Sequence, residues 1–320
     1  MRSTSALCAF ASAAVAPPLS LAGSAHAATS TTFDPPGSIE TYPRSIDANG
    51  VITGNFSADK YIGHSFIRAA DGAITVFDPE GSQVAEPAGT DGQGRVYGSY
   101  VPHDREHERG FVRDTDGSIT TFDVPHAHGM TRANAFNQQA GLTGYYSGKH
   151  QNPTGWLRTP DGAIATFRVP HSIFMLPYAI NSAGVVVGVY VGKAIKIDSF
   201  IRTPDGTITR FGPPQHGEVD ADAINADGVI TGSYYRGDTT RGFVRAPDGT
   251  ITLFDPKGST DTEPTAINAS GVIIGTYETA DSIVHGFLRN PDGTFQTIDH
   301  PDATKADTGA RHQRQGHHCR

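Results

Sequence analysis

The chain has little cysteine, little excess basic charge and no long uninterrupted apolar run. Its two cysteines, Cys8 and Cys319, lie near opposite ends of 320 residues. Arg2, the apolar stretch from Ala6 to Leu21 and the small-residue site Ala25-His26-Ala27 predict a cleaved export signal over residues 1–27. Cleavage leaves Cys319 alone, which excludes an internal disulfide and puts the burden of stability on packing. The expected location is secreted or periplasmic. Pro17 and Pro18 interrupt the leader, and a membrane span needs about 18 consecutive apolar residues, so no span is expected after cleavage.

The whole chain carries 25 basic and 33 acidic side chains. Removing the leader takes away Arg2 and no acid, leaving 24 against 33 and a formal charge of −9. Such a surface repels nucleic acid and anionic lipid. Apolar spacing of helical period is missing as well, and that points to an all-β chain.

What the sequence does have is repetition. GFVRAPDGTIT at 242–252 returns as SFIRAADGAIT, GFVRDTDGSIT, GWLRTPDGAIA, SFIRTPDGTIT and GFLRNPDGTFQ. The markers Phe33, Phe77, Phe122, Phe167, Phe211, Phe254 and Ile298 are spaced by 44, 45, 45, 44, 43 and 44 residues. Each unit reads as four short strands separated by Gly, Asn, Asp and Pro. In the last unit these are TAIN, VIIGTYE, HGFLR and TFQTID. The third strand carries an aromatic residue followed directly by an aliphatic one, so both faces of the sheet are apolar. A sheet of that size cannot cover itself, and its neighbours must do so. The expected fold is therefore a β-propeller of four-stranded antiparallel blades, six in number, with seven or an open form as the alternatives. The domain spans residues 28–301, and 302–320 is expected to be a disordered tail. Phe33 or the final strand would complete the closing blade.

Several columns recur in every unit. Arg68, Arg113, Arg158, Arg202, Arg245 and Arg289 share a face with the preceding aromatic and are expected to lie along it, reaching the turn Asp or the first-strand Asn or Asp as acceptor. An anion-binding ring is the functional alternative. Gly54, Gly98, Gly144, Gly188, Gly232 and Gly275 indicate close backbone approach, placed here between blades near the axis. The Asp-Gly turns read as hairpins, because the oxygen set of a calcium loop is missing. Two units depart from the pattern: GTDGQGRVYG replaces the AIN segment of the second, and AFNQQAGLTG in the third is one residue short between its glycines. Both are expected to be distorted.

These residues resemble the HAF-repeat proteins, a group of extracellular bacterial repeat proteins. The resemblance rests on His64-Ser65-Phe66, His285-Gly286-Phe287 and the segments AINSAGVVVG, AINADGVITG and AINASGVIIG, and it covers nearly all of residues 31–300. It implies export and a repeat fold, with no activity or catalytic residue to carry over. Asp-box and paired-glycine kelch signatures are missing, and no cofactor is expected.

In such a blade the uniform turns after strands one and three share one end, and the irregular connections after strands two and four share the other. Function concentrates on variable loops over a rigid scaffold. The irregular face carries His103, His107, His126, His128, His150 and His171, with His216 further round, and an apolar stretch of Ile173, Phe174, Met175, Leu176 and Tyr178. His126 and His128 are weak candidates for a metal, needing a third ligand from another loop. The same histidines suit general acid–base work, and the bland account makes them exposed loop residues. Phe174 and Tyr178 read as a partner contact, a plug or packing between blades. The favoured reading is a binding module for a glycan, an envelope component or another protein. The alternative is a propeller hydrolase or lyase using the histidine-rich loops.

Overall fold

The computed structural model describes residues 31–299, apart from 61, 105–106, 138, 140, 149–151, 194 and 213–216. The leader, the tail, His150 and His216 therefore lie outside the described residues. Among the described residues there are 24 strands and no helix long and apolar enough to cross a membrane.

The strands group in fours. Unit 1 holds β1 (Glu40–Ile46), β2 (Ile52–Ser57), β3 (Gly63–Arg68) and β4 (Ile74–Phe77). Unit 2 holds β5 (Ser82–Thr90), β6 (Val96–Pro102), β7 (Arg109–Arg113) and β8 (Ile119–Phe122). Unit 3 holds β9 (Met130–Phe136), β10 (Leu142–Ser147), β11 (Thr154–Arg158) and β12 (Ile164–Phe167). Unit 4 holds β13 (Phe174–Ile180), β14 (Val186–Val191), β15 (Ile197–Arg202) and β16 (Ile208–Phe211). Unit 5 holds β17 (Glu218–Ile224), β18 (Ile230–Arg236), β19 (Thr239–Arg245) and β20 (Ile251–Phe254). Unit 6 holds β21 (Ser259–Ile267), β22 (Ile273–Thr279), β23 (Val284–Arg289) and β24 (Phe295–Ile298).

Within each unit successive strands pair antiparallel. Units 1 and 2 are also joined by one parallel bridge, Gly63 to Val84, and units 5 and 6 by Thr240 to Asp261. First strands of successive units approach one another, as β5 does β1 and β17 does β13, whereas the fourth strands fan apart. This is a propeller-like array with the first strands innermost.

The third strand explains why the sheets must stack. Its aromatic side chain points at the preceding unit and its aliphatic one at the following unit. At the junction of units 4 and 5, Ile201 and Phe211 pack with Val219, Ile230 and Phe243. The marker Phe of each fourth strand meets the next unit's aromatic edge to face, as Phe122 meets Trp156 at 5.5 Å and Phe211 meets Phe243 at 6.3 Å. The repeated arginine completes the joint. Arg245 stacks over the Phe211 ring at 5.0 Å and Arg289 over Phe254 at 4.8 Å. Its acceptor is neither the turn Asp nor the first-strand Asn: Arg113, Arg202, Arg245 and Arg289 donate to the carbonyl of the next residue. The guanidinium lies over the ring, and from there the adjacent carbonyl is in reach.

A second device links the units nearer the centre. The Asn137, Asn181 and Asn225 carboxamides accept from the backbone N–H four residues on. Each donates to the corresponding carbonyl of the next unit, Asn137 to Asn181, Asn181 to Asn225 and Asn225 to Asn268. In unit 2, Asp91 holds this place and its carboxylate accepts from Gln93 and Arg95. Units 2 and 3 are consequently not distorted. Gly141 takes the hydrogen-bonding role of Val185, so the short spacing is absorbed in the turn.

The glycine column also has another cause than the one expected. Every first strand carries a bulge, at residues such as Arg44, Tyr178 and Asp222. The bulge pushes the strand's backbone against the second strand: a Cβ on Gly98 would strike the Glu86 carbonyl, the Pro87 Cα and the Phe111 ring. The close approach is within one sheet rather than between two.

The ends of the array differ from its middle. Five core clusters occupy the five junctions between consecutive units, and none among the described residues joins unit 6 to unit 1. Phe33, which belongs to no strand, packs on Phe66 at 5.8 Å and under Arg68 at 4.9 Å. It holds the position that a preceding unit's fourth strand would fill, while β24 pairs with β23.

Candidate functional site

The uniform turns do share one end. A Cβ on Gly184 would meet Pro204, and one on Gly271 would meet Pro291, so the first turn and the third-strand turn of a unit lie side by side. The opposite rim carries the irregular connections, and there the predicted residues scatter.

His126 and His171 both have positive φ, 67° and 64°, and both are exposed. Each is the third residue of a turn closed by Ala127 to Val124 or Ser172 to Val169. Gly81 and Gly258 hold the same place with φ of 72° and 86°. The Pro-His pairs are thus type II turn corners between units, with histidine strained where glycine is at ease. His128 is exposed and donates its backbone N–H to Ser147. His103 is exposed and bonds through its backbone to Gly81. His107 reaches Asp123 at 3.1 Å. Among the described residues no three His, Cys, Asp or Glu side chains gather around a point that could hold a metal. His126 and His128 acquire no third partner there.

The apolar stretch is not a loop. Phe174 to Tyr178 lies in β13, whose burial alternates and whose Met175 is wholly buried between units 3 and 4. Pro177, just before the bulge, disguised a strand as a connection. Phe174 and Tyr178 are half-buried.

Two sets of residues that the sequence reading did not connect come together. The first lies at the inner strands of units 2 and 3. Arg132 of β9 bonds Glu108 at 2.7 Å and Glu86 of β5 at 3.3 Å. Burial pushes the Glu108 carboxyl up, against the pull of Arg132. Burial also opposes charge on Arg132, but Glu108, Tyr145 and Glu86 outweigh it and hold the guanidinium protonated. Tyr145, on the adjacent strand, is raised by burial. Tyr42, Glu86, Arg132, Leu176, Asp220 and Glu263 occupy one register position, five residues before the Asn or Asp. The lone cation in that column was the available signal.

The second set is a column of cross-strand pairs along the irregular rim. The residue before the third-strand Ser or Gly lies opposite the one after the marker Phe. His64 pairs with Asp78 at 2.6 Å, Arg241 with Asp255 at 2.5 Å and His285 with Asp299 at 2.8 Å. Arg109 and His107 share Asp123. In unit 3 the polarity is reversed, with Arg168 donating to Thr154 at 2.9 Å and to the Ser172 and Ile173 carbonyls. In unit 4, Asp198 stands opposite Gly212 and pairs with Lys196 at 3.4 Å. The short His-x-Phe step is thus half of a cross-strand polar pair whose other half follows the marker Phe.

No family model matches the chain, and no curated protein matches it. Solved structures do. A puromycin hydrolase is 13% identical with a TM-score of 0.62, over 86% of this chain and 49% of that one. A prolyl endopeptidase is 15% identical with a TM-score of 0.59, over 81% and 42%. TolB from Acinetobacter baumannii is 14% identical with a TM-score of 0.53, over 77% and 62%. The chain spans about half the length of the two hydrolases it matches. At these identities the likeness is one of fold, and it places the chain with propeller-like all-β domains.

Proposed function

We propose that the protein is an exported six-bladed propeller, of the kind the HAF-like steps suggest, that binds a glycan, an envelope component or another protein through its irregular rim. One observation carries the reading. The two uniform turns of a unit lie side by side at one end, while the connections of variable length and charge join the strand ends at the other. A scaffold that repeats and a rim that does not is the division of labour of a recognition module. The hydrolases among the similar structures are about twice as long, so the shared fold supports a scaffold role and carries no activity across. The test is retention of the purified protein on immobilised glycans and on fractionated cell envelope. Binding that survives substitution across the uniform turns and fails on substitution across the rim supports the reading; the reverse pattern overturns it.

The enzymic alternative is favoured by one feature, the half-buried Glu108 with a raised carboxyl pKa beside Arg132 and Tyr145. Hydrolase and lyase screens on the wild type and on Glu108→Gln decide it: an activity lost in the variant with the fold intact would replace the binding reading.

A further inference from the structure

The rim pairs described above are acidic after the marker Phe in most units: Asp34, Asp78, Asp123, Asp255 and Asp299. The column loses its acid over units 3 and 4, where the residues are Arg168 and Gly212. At the same place β16 carries Arg210, where the other fourth strands have Val76, Thr121, Thr166, Leu253 and Thr297. In a repeat protein a departure shared by neighbouring columns is the place to look for a site, because the scaffold does not need it.

One of these departures, Arg210, lines a cleft. Pro170, His171, Tyr190, Gly192, Lys193 and Arg210 line a volume of about 320 Å³ between the unit 3 to unit 4 connection and the outer strands of unit 4. Its titratable lining is His171, Lys193, Arg210 and the Tyr190 phenol, and the Asp198 carboxylate, paired with Lys196 at 3.4 Å, stands beside that phenol. The Arg210 guanidinium lies over the Tyr190 ring at 5.8 Å. Gly212 is exposed, and the carboxylate of this pair comes instead from Asp198 on the facing strand. Lys193, Lys196 and Arg210 against that one carboxylate leave an excess of positive charge here, on a chain of net negative charge.

Strain converges on the same place. Of the four described non-glycine residues with positive φ, His171 and Ile195 are both here, at 64° and 55°. Positive φ in a β-branched residue is a genuine outlier. The turn closed by Ile195 to Gly192 at 3.0 Å holds Ile195 79% exposed, between Lys193 and Lys196. Strained backbone persists where the surroundings impose it, and it collects at ligand sites.

We propose that this cleft binds the carboxylate of an acidic glycan, with Lys193 and Arg210 as its charged contacts and Ile195 as an apolar lip against the C–H face of the sugar. The inference rests on the binding reading above and narrows it. A single exposed isoleucine suits one sugar ring better than a bilayer, which demands a broader apolar face.

The test is calorimetric titration of the full chain with a galacturonate oligomer, a glucose oligomer of equal length, inorganic phosphate, and vesicles of phosphatidylglycerol and phosphatidylcholine. The expected result is binding of the galacturonate oligomer, weakened by salt, with none of the glucose oligomer. Arg210→Thr restores the residue found at this place in three other units, and together with Lys193→Ala it should weaken binding about tenfold or more. Lys257→Ala, at another connection, should leave the affinity unchanged. Equal affinity in the double variant, a preference for the neutral oligomer, or binding to vesicles alone would overturn the proposal. Phosphate bound as tightly as the oligomer, and sensitive to the same variants, would overturn the glycan assignment while keeping the oxyanion site. Retention on glycans or envelope that ignores Arg210 and Lys193 refutes this cleft and leaves the broader reading standing; no retention on any surface refutes both.

Discussion

The junction of units 4 and 5 and the faces of units 6 and 1 that no other described unit covers are built from the same columns, yet they differ in what those columns do. At the junction, Val187 is fully buried against Val219 and Ala221, Phe211 meets Phe243, and Arg245 stacks over Phe211. On unit 6 the equivalent Ile274 is half-exposed, Ile298 stands where Phe is usual, and Asn268 is exposed at the end of the carboxamide ladder. On unit 1 the free Phe33 stands in for a missing predecessor. The comparison separates what a unit carries in itself, its hairpins and turns, from what only a neighbour completes.

The largest effect that could break the comparison is in the core. Trp156→Ala should cost about 3–5 kcal/mol, because the ring is wholly buried between units 2 and 3. Phe295→Ala, at a 37% exposed ring on the last strand, should cost under about 1 kcal/mol. Urea unfolding measures both, and equal losses would mean that unit 6 is covered like the rest. Next comes the marker column. Phe211→Ala should cost about 3 kcal/mol, and Phe33→Ala about 1–2 kcal/mol, the worth of its ring and cation contacts without a strand behind it.

Smaller again is the ladder. Asn181→Ala removes an acceptor and an inter-unit donor and should cost about 1–3 kcal/mol, against about 0.5–1 kcal/mol for Asn268→Ala, which loses only the bond to Val272. Ile298→Phe should change the midpoint of thermal unfolding little, because no following arginine receives the ring. A clear rise would show that the last unit reaches Arg68.

The smallest effect sharpens the comparison from the other side. Hydrogen bonds from Thr203 and Thr207 hold the Asp205 carboxyl below the ordinary carboxylate range, and those from Thr294 do the same for Asp292. A carboxyl whose folded pKa is lowered adds stability above its ordinary value, and that stability is lost as pH falls through the lowered one. Asp205→Asn and Asp292→Asn should therefore flatten the acid limb of the stability profile slightly, and by equal amounts. The turns are local, so a middle unit and an end unit should respond alike.

Much of this was legible because it repeats. The strand order, the six arginines and the hairpin turns follow from spacing and from residues such as Gly249 that only one turn geometry suits. What was misread was aperiodic or depended on contact. The stretch from Phe174 to Tyr178 looked like a loop because Pro177 obscures its alternation, and a bulge cannot be seen without the partner strand. The histidines drew attention by number, but His126 and His171 are turn corners in connections 45 residues apart. Arg132, Glu86 and Glu108 went unnoticed because their meeting joins the inner strands of two units.

Sequence alone determined the local alphabet of this protein: four short strands per unit, two faces that cannot remain wet, and turns set by proline, aspartate and glycine. Those are decided by φ, by side-chain alternation and by burial, all of which act within a few residues. Tertiary structure decided which acceptor each arginine finds, which aromatic covers which, and which charges meet across the rim. Such choices are made between residues about 44 positions apart, where the repeat brings surfaces together and the energy of each contact depends on both partners.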